Sequence, residues 1–424
     1  MYKRQGLNNL VAQHFPVDDV FNILQLFVFH RGKVRKIKAQ MIRRNQRPRL
    51  LHMLPQNFAQ PSMKQMRSRV IAHSRQAIVS IHDSINQMCI RDRLEIPLVV
   101  GRGRTGRPFA LRDACPHRGM PLHCGKFDGE DLECSYHGWT FDAHNGQCQL
   151  IPSLTADQNL KVDRIYAGSY PCEEQDGFIW VYIPDPGPLG AGFSMREEAP
   201  DRAPQIEKFG DKYKLAYLTA DMPVSIDHGI IGLMDPAHGP FVHQAWWWRS
   251  RHSIHEKKKN FEPIPNGFRM SAHTPSSNSA PYKLLRLYAA ASTITTTIDF
   301  VLPNLRTETI RAGKYWFSSL TTVTPITRNQ CRIDVVAAWN IFRWLPFGPE
   351  LLKLVFAKFV EQDRRTMELQ AEGLKHNPHL MLIDDADRPA KWYFQLKAAH
   401  LEAKRTGSEM KHPMAGSVTL KWRS

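Results

Sequence analysis

The chain has 424 residues, and its basic character is concentrated at one end. A formal net charge of +17 would ordinarily indicate an anionic partner such as nucleic acid. However, residues 1–93 hold 17 Lys and Arg against 4 Asp and no Glu, so residues 94–424 carry a net charge of only +4. We therefore expect no nucleic-acid partner. No apolar run reaches the length of a membrane-spanning helix, so we expect no membrane span.

Residues 1–93 are unusual at both ends. Met1–Gln5 and Met88–Arg93 can be read, in two different frames, from the DNA string ATGTGTATAAGAGACAG, which resembles a transposon adapter used to prepare sequencing libraries. The segment also has only two Gly and no Glu, unlike ordinary protein usage. We predict that residues 1–93 are an assembly artefact or a non-native extension and not part of the native fold. The alternative is a genuine basic N-terminal extension.

Two short motifs offer thiols and imidazoles in alternating order. Cys115-x-His117 is followed, after sixteen intervening residues, by Cys134-x-x-His137. This pattern resembles a Rieske iron–sulfur site, in which two Cys hold one iron and two His hold the other. The alternative is a Cys2His2 zinc site, although zinc spacings usually pair Cys with Cys and His with His. The resemblance implies a [2Fe-2S] cluster held by these four residues.

The segment around these motifs is predicted to be a small β-structure. Ile96–Val100 and Gly177–Ile183 are strand-like. Gly101–Gly106 matches G-x-G-x-x-G, but a second strand follows it instead of a helix, so it predicts a hairpin turn and not a dinucleotide site. We place a Rieske domain at residues 94–187, without its first strand, and a Pro- and Gly-rich linker at residues 188–199.

A second constellation lies downstream, where Asp235-Pro236-Ala237-His238 is followed by His243. Two imidazoles five residues apart, with a distant carboxylate, can form the two-His-one-carboxylate face that binds non-haem iron(II). Alone this signal is weak, because a chain with 19 His will often place two within five residues. Following a Rieske motif, it resembles the signature of the Rieske non-haem iron oxygenases of the large-subunit type. The resemblance runs from about Leu94 to the C-terminus.

The resemblance implies a role for each residue of the second motif. His238 and His243 would bind the iron, and Asp235 would hydrogen-bond a Rieske His of the neighbouring subunit, here His137. Many relatives carry Asn shortly before this Asp, whereas this chain reads Ile231–Met234, so the group that holds Asp235 is not evident from the sequence.

A third iron ligand is expected far downstream on a late helix. Apolar residues at helical spacing predict a helix over Leu351–Leu374. Asp363 lies at the position where the family places this ligand, and Glu361 is the alternative. Both could instead be solvated charges on an amphipathic helix.

The sequence therefore predicts an α+β chain, with an all-β Rieske [2Fe-2S] domain followed by an α+β helix-grip-like catalytic domain at residues 200–424. Alternating stretches at Thr293–Leu302 and Ile333–Trp339 indicate a sheet in the second domain. Trp246–Trp248 could line a substrate channel, although packing is the commoner role of aromatic clusters. Lys257–Lys259 predicts a solvated loop.

The function implied by the resemblance is an oxidoreductase that uses O2 and electrons from NAD(P)H to hydroxylate or demethylate a small aromatic or other hydrophobic substrate. The cofactors would be the Rieske cluster and a mononuclear Fe(II), and the electron donor would be a reductase with or without a ferredoxin. The sequence is most similar to the branch of vanillate demethylase, dicamba monooxygenase and pheophorbide oxygenase, which implies a homotrimer.

Three alternatives stay open at this point. The first is an aromatic-ring cis-dihydroxylating dioxygenase, the second is a Rieske electron carrier without a catalytic iron, and the third is a degenerate oxygenase that acts as a structural subunit. We expect a cytoplasmic location, because no secretory signal is visible and the seven Cys show no disulfide framework.

Overall fold

The computed structural model describes residues 89–93, 96–183, 199, 202–244, 251–275, 280–289 and 293–424. All of them lie within one compact unit, Arg69–Ser424. The Trp246–Trp248 cluster lies outside the described residues.

The first part of this unit begins with a three-stranded antiparallel sheet of β1 (Cys89–Arg93), β2 (Ile96–Arg102) and β3 (Pro108–Arg112). The turn between β2 and β3 contains Gly106 at φ 80°, which confirms that the glycine-rich motif is a hairpin turn. β1 falls within residues 1–93 and pairs with β2. The boundary at Leu94 and the non-native origin of residues 1–93 stay predictions.

A four-stranded antiparallel sheet follows, made of β4 (Lys126–Phe127), β5 (Asp131–Glu133), β6 (Thr140–Asp142) and β7 (Cys148–Leu150). A further hairpin joins β8 (Cys172–Gln175) to β9 (Phe178–Val181), where the sequence predicts a late strand. The buried core of this β-domain is apolar and includes Phe109, Leu111, Leu122, Leu132 and Phe141. This packing fixes the loops after β3 and β5, which carry the Cys-His motifs.

The second part is built on an eight-stranded antiparallel sheet, as expected for an α+β domain. Its strands are β10 (Lys214–Met222), β11 (Glu256–Ile264), β12 (Gly267–His273), β13 (Ile294–Val301), β14 (Leu305–Ala312), β15 (Tyr315–Thr327), β16 (Gln330–Trp339) and β17 (Val418–Arg423). Their spatial order is β10-β16-β15-β14-β13-β12-β11-β17. The strands predicted near Thr293–Leu302 and Ile333–Trp339 are confirmed as β13 and β16.

Five helices accompany the sheet in the described part of the chain: α1 (Ile226–Met234), α2 (Gly239–Val242), α3 (Ala280–Tyr288), α4 (Gly348–Leu374) and α5 (Arg388–Thr406). The largest core cluster packs α1 and α5 on the sheet through residues such as Ile230, Phe268, Phe300, Trp392 and Leu396. Burial of such side chains is the main favourable contribution to folding.

The predicted late helix is confirmed as α4, and a Pro lies in its first turn, where its missing N–H leaves no helical bond unmade. The prediction of a loop at Lys257–Lys259 is wrong, because these residues belong to β11 and pair with Trp422–Leu420 of β17. Among the described residues, no helix is both long and apolar enough to cross a membrane.

Candidate metal centres

Two loops bring the predicted thiols together. Cys115 follows β3 and Cys134 follows β5, and each is only 2% exposed. In both loops the Cys N–H donates to the carbonyl five residues later, and the Cys carbonyl accepts from the N–H four residues later. These bonds are Cys115 N to Met120 O (2.8 Å), Gly119 N to Cys115 O (2.8 Å), Cys134 N to Trp139 O (2.8 Å) and Gly138 N to Cys134 O (3.0 Å).

Each loop is closed by a glycine in the left-handed region. Gly119 has φ 72° and Gly138 has φ 70°, a conformation that costs little only for Gly. The two loops therefore share one backbone turn. Their imidazoles nevertheless occupy different places in it, because His117 is the second residue after its Cys and His137 the third.

The two imidazoles also meet. The ring centroids of His117 and His137 lie 4.4 Å apart, and Trp139 stacks on His117 at 4.6 Å with an interplanar angle of 5°. Desolvation, followed by the neighbouring His117 and Arg118, lowers the pKa of the His137 imidazole, which favours the neutral form that binds metals.

The donor set of these loops fits a metal cluster. Burial, together with the adjacent Cys134 thiol, raises the pKa of Cys115 to about 11. Two buried thiols become thiolates readily only beside a positive charge such as iron. His117 Nδ1 is buried and has no hydrogen-bond partner among the described residues, and a coordinating iron would satisfy it.

The second site is organised by the single turn of α2. His238 is the N-cap of this helix and His243 is its C-cap, so the two imidazoles extend from opposite ends of one turn. Their Nε2 atoms lie 3.1 Å apart. Pro240 in the first turn favours helix initiation there.

Asp363 of α4 reaches the same point. Its Oδ1 lies 3.2 Å from His243 Nε2 and 3.8 Å from His238 Nε2, and all three ligand atoms fall within 4.8 Å of one another. The alternative residue, Glu361, instead pairs with Arg364 and Arg365, whose hydrogen bonds lower the pKa of its carboxyl to about 2. The structure therefore brings Asp363, and not Glu361, to the histidine pair.

The ring orientations leave both Nε2 atoms free for a ligand. His238 Nδ1 lies 2.9 Å from the Asp235 carbonyl oxygen, and His243 Nδ1 lies 3.2 Å from Gln362 Oε1. A backbone carbonyl and an amide oxygen accept hydrogen bonds, so these partners orient each ring through Nδ1–H and direct its Nε2 towards the other histidine and Asp363. With Nε2 deprotonated, both imidazoles would offer a lone pair to a metal ion that Asp363 also contacts. The set matches the two-His-one-carboxylate face for iron(II).

Charge at this site favours a cation. Burial disfavours the protonated form of His238, but the carboxylates of Asp235 and Asp363 outweigh it, so the pKa of His238 is raised above its usual value. As metal ligands, two neutral imidazoles and one carboxylate would carry a single negative charge. A divalent metal is the ligand that this arrangement suits.

The sequence predicted Asp363, but not the two other residues of α4 that surround His243, Phe359 and Gln362. Phe359 contacts the His243 ring at a centroid distance of 5.0 Å, Gln362 accepts its Nδ1–H, and Asp363 faces its Nε2. These three residues have i, i+3 and i+4 spacing, which places them on one face of α4. That spacing relative to Asp363 is the signal that could have identified Gln362.

The Asp235 side chain is held by local contacts. It caps the C-terminus of α1, and its Oδ1 accepts the N–H of Ala237 at 2.7 Å. Its Oδ2 lies 3.6 Å from His238 Nδ1, and the side chain is 34% exposed. Within the described part of a single chain, no hydrogen bond or ion pair joins Asp235 to His137.

The family comparisons agree with this arrangement. Residues 77–167 match the Rieske [2Fe-2S] domain, and residues 221–409 match the vanillate O-demethylase oxygenase C-terminal domain. The first match begins inside the segment predicted to be non-native. The four Cys-His residues lie in the first domain, and the histidine pair and Asp363 lie in the second.

Individual relatives match parts of this chain. The chain is 28% identical over 275 residues to chlorophyllide a oxygenase of Chlamydomonas reinhardtii, which covers 63% of this chain and 38% of that protein. It is 31% identical over 156 residues to the 5,5'-dehydrodivanillate O-demethylase oxygenase subunit of Sphingobium sp. (strain NBRC 103272 / SYK-6), covering 36% of this chain and 34% of that subunit. The chain thus spans little more than a third of the length of these relatives.

Solved structures show the same fold. Dicamba monooxygenase bound to dicamba superposes with a TM-score of 0.60 at 21% identity, covering 79% of this chain and all of that one. The demethylase NdmA of Pseudomonas putida CBB5, as the QL mutant with theobromine, superposes with a TM-score of 0.58 at 16% identity, covering 78% of this chain and 91% of that one. With its two domains in this order, the chain belongs to the Rieske non-haem iron oxygenases, in the branch whose catalytic domain is of the vanillate O-demethylase type.

Proposed function

We propose that this protein is an oxygenase that hydroxylates or demethylates a small aromatic or other hydrophobic substrate, using O2 and electrons derived from NAD(P)H. The observation that carries the proposal is the convergence of His238, His243 and Asp363 within 4.8 Å. A Rieske electron carrier without catalytic iron would not require this set of two histidines and one carboxylate.

In this proposal the catalytic ligands are His238, His243 and Asp363. When bound, a mononuclear iron(II) on this face supplies open coordination positions for O2, and a Rieske cluster supplies one-electron transfer. The protein's own part is orientation. The Asp235 carbonyl and the Gln362 amide oxygen each hold one imidazole so that its Nε2 faces the metal position.

The cluster would be held by Cys115, Cys134, His117 and His137. The buried thiols and the unpartnered His117 Nδ1 support this assignment. Electrons would arrive from a reductase, with or without a separate ferredoxin. The half-buried His137, beside Tyr136 that is 55% exposed, lies where a second protein surface can approach it.

We further propose that Asp235 links the two centres across a subunit boundary in a homotrimer. No contact joins Asp235 and His137 within the described part of one chain, and both side chains are accessible enough to meet a neighbouring copy. A carboxylate beside a ligand imidazole holds its ring and accepts its N–H, which couples the two centres through one hydrogen bond.

The names of several relatives support the proposed substrate class. The matched demethylase and monooxygenase names refer to a divanillate, dicamba and methylxanthines, which are small aromatic rings with methoxy or N-methyl groups or related substituents. We propose an aromatic methyl ether or N-methyl heterocycle. A cytoplasmic location suits the free cysteines of the described residues.

The test is metal analysis followed by O2 uptake. Protein purified without oxygen should contain the two irons and two sulfides of a Rieske cluster plus one further iron, with a Rieske-type electron paramagnetic resonance signal after reduction. A panel of methoxybenzoates and methylxanthines should then reveal a substrate that stimulates O2 uptake and releases formaldehyde. A protein that holds the cluster but lacks the additional iron would overturn the proposal.

A further inference from the structure

An exposed apolar patch surrounds the first turns of α4. Trp344 is 72% exposed, Phe347 77%, Leu351 53% and Leu354 65%. Leu351 and Leu354 have i, i+3 spacing and lie on one side of α4, and Phe347 is the residue immediately before the helix, so the three form an apolar stripe at its N-terminal end. Large side chains exposed together in this way mark a surface that meets another phase or partner.

The patch extends to α3. Leu287 near the end of α3 is 81% exposed. Its neighbour Tyr288 contacts the Phe342 ring at a centroid distance of 4.4 Å, and Phe342 contacts Trp344 at 6.4 Å. These ring contacts join α3 to the loop before α4. We call Leu287 together with Trp344, Phe347, Leu351 and Leu354 the α3–α4 patch.

The rim of the α3–α4 patch is basic. Residues 280–289 and 341–358 contain five basic residues and one acidic residue, Glu350. Lys283 precedes Leu287 by one helical turn, and Lys358 follows Leu354 by one turn, so both lie on the apolar faces of their helices. Among the described residues, no ion pair engages any of the five: Lys283, Arg286, Arg343, Lys353 and Lys358.

This charge pattern favours one of the possible occupants. In a two-fold contact between copies the same surface meets itself, so the basic rim would face a second basic rim; in a trimer the patch would face a different surface of the neighbouring copy, an outcome that the sedimentation readout below tests. An anionic lipid surface instead neutralises the rim while its acyl region accepts the apolar side chains. Trp and Phe beside Leu, flanked by Lys and Arg, are typical of segments that lie in the membrane interface.

We propose that the α3–α4 patch binds the surface of an anionic lipid bilayer, with Trp344, Phe347, Leu351 and Leu354 entering the headgroup region. The attachment is peripheral and reversible, since the apolar stripe covers only the first turns of one helix. Asp363 lies sixteen residues beyond Phe347 on the same helix, about 24 Å along its axis. One rigid element thus joins the lipid surface to the metal-binding face.

Vesicle flotation with the full-length protein tests the proposal. The protein should float with vesicles of phosphatidylcholine and phosphatidylglycerol in equal parts, and much less with phosphatidylcholine alone. Raising the salt concentration should weaken the binding, because exposed charges are screened. The double variant Trp344→Ser/Phe347→Ser should bind at least about tenfold more weakly, since it removes two large apolar side chains.

A matched control distinguishes binding by the α3–α4 patch from non-specific hydrophobic adsorption to vesicles. Leu369 lies on the same helix outside the patch and is 76% exposed, so Leu369→Ser should bind vesicles like the wild type. Equal binding by the double variant and the wild type, or no binding by the wild type, overturns the proposal. Sedimentation of both proteins is a second readout, and dissociation of an oligomer by the double variant without any vesicle binding would assign the patch to a subunit interface instead.

Discussion

His243 and Gln362 are joined by a hydrogen bond of 3.2 Å that ties the histidine pair to the helix carrying Asp363. Its counterpart at His238 uses a backbone carbonyl, which no substitution can remove. Of the two hydrogen bonds that orient the histidines, only the one from His243 to Gln362 can therefore be removed by a side-chain substitution. Asp363 and Gln362 are adjacent on α4, so a shift of that helix moves both together.

Gln362→Leu should weaken metal binding by about tenfold to a hundredfold, which is the usual effect of losing a group that orients a ligand. Leu is close in size to Gln but cannot accept the Nδ1–H of His243. Calorimetric titration of the metal-free protein with Co(II) measures the affinity directly. Gln362→Glu keeps a hydrogen-bond acceptor for His243 Nδ1–H and should retain most of the Co(II) affinity. Arg365→Gln, at an exposed position on the same helix, should leave the Co(II) affinity unchanged. An equal loss of affinity in Arg365→Gln would show that the effect does not come from the hydrogen bond between Gln362 and His243.

His238→Ala should abolish substrate-dependent O2 uptake while the visible spectrum of the cluster stays intact. The reason is that His238 lies in the second domain, apart from the loops of Cys115 and Cys134. Iron analysis should show loss of only the mononuclear iron. His252→Ala, an exposed histidine nearby in sequence, serves as the control. Loss of the cluster spectrum in His238→Ala would contradict the two-site arrangement.

The positions of the ligands could be predicted because they depend on local motifs. The Cys-His loops and the α2 turn are each built from a few consecutive residues, and the resemblance identified Asp363 over a distance of more than a hundred residues. Gln362 was missed because a neutral amide has no chemical signature until its contact to His243 is seen. Lys257–Lys259 was misjudged because its strand conformation depends on pairing with β17, at the far end of the chain.

Asp235→Asn should keep both metal centres and slow electron transfer between them by at least about tenfold. Asn preserves the size and the bond from Ala237 but removes the carboxylate charge that would hold His137 of the neighbouring subunit. Stopped-flow bleaching of the reduced cluster by O2, with a substrate that stimulates uptake, gives the rate. Asp211→Asn, in an exposed loop, is the control. An unchanged rate would refute the bridging role.

Gly119→Ala and Gly373→Ala should have opposite effects, although neither added Cβ meets an atom within 4 Å. At Gly119, φ is 72°, so Ala should destabilise the first ligand loop by about 1 kcal/mol. At Gly373, inside α4, Ala should stabilise the helix by up to about 1 kcal/mol. Thermal unfolding measures both, and the rate of cluster loss should rise only in Gly119→Ala. Identical shifts in the two variants would show that backbone conformation is not the cause.

Asp227 anchors α1, the helix whose C-terminus carries Asp235, to α5. Lys397 Nζ lies 2.7 and 2.9 Å from the two carboxylate oxygens, and the Tyr393 hydroxyl donates to one of them at 2.5 Å. Burial alone would raise the pKa of Asp227, but Lys397 and Tyr393 outweigh it, so the pKa is lowered from its usual value of 3.8. A carboxyl whose pKa is lower in the folded state stabilises the fold above its unfolded pKa and loses that contribution as the pH falls through the folded value.

Asp227→Asn should therefore lower the free energy of unfolding by about 1–2 kcal/mol at neutral pH, because it leaves Lys397 without its charged partner. The difference in the free energy of unfolding between Asp227→Asn and the wild type should become smaller as the pH falls below about 4. Urea unfolding at neutral and acidic pH measures both effects. Asp384→Asn breaks the ion pair of Asp384 with Lys391. The Asp384 side chain is 67% exposed, so this substitution should change the free energy of unfolding much less than Asp227→Asn does. If the Asp227→Asn difference stays constant with pH, the stabilisation comes from packing or neutral hydrogen bonds and not from the ion pair.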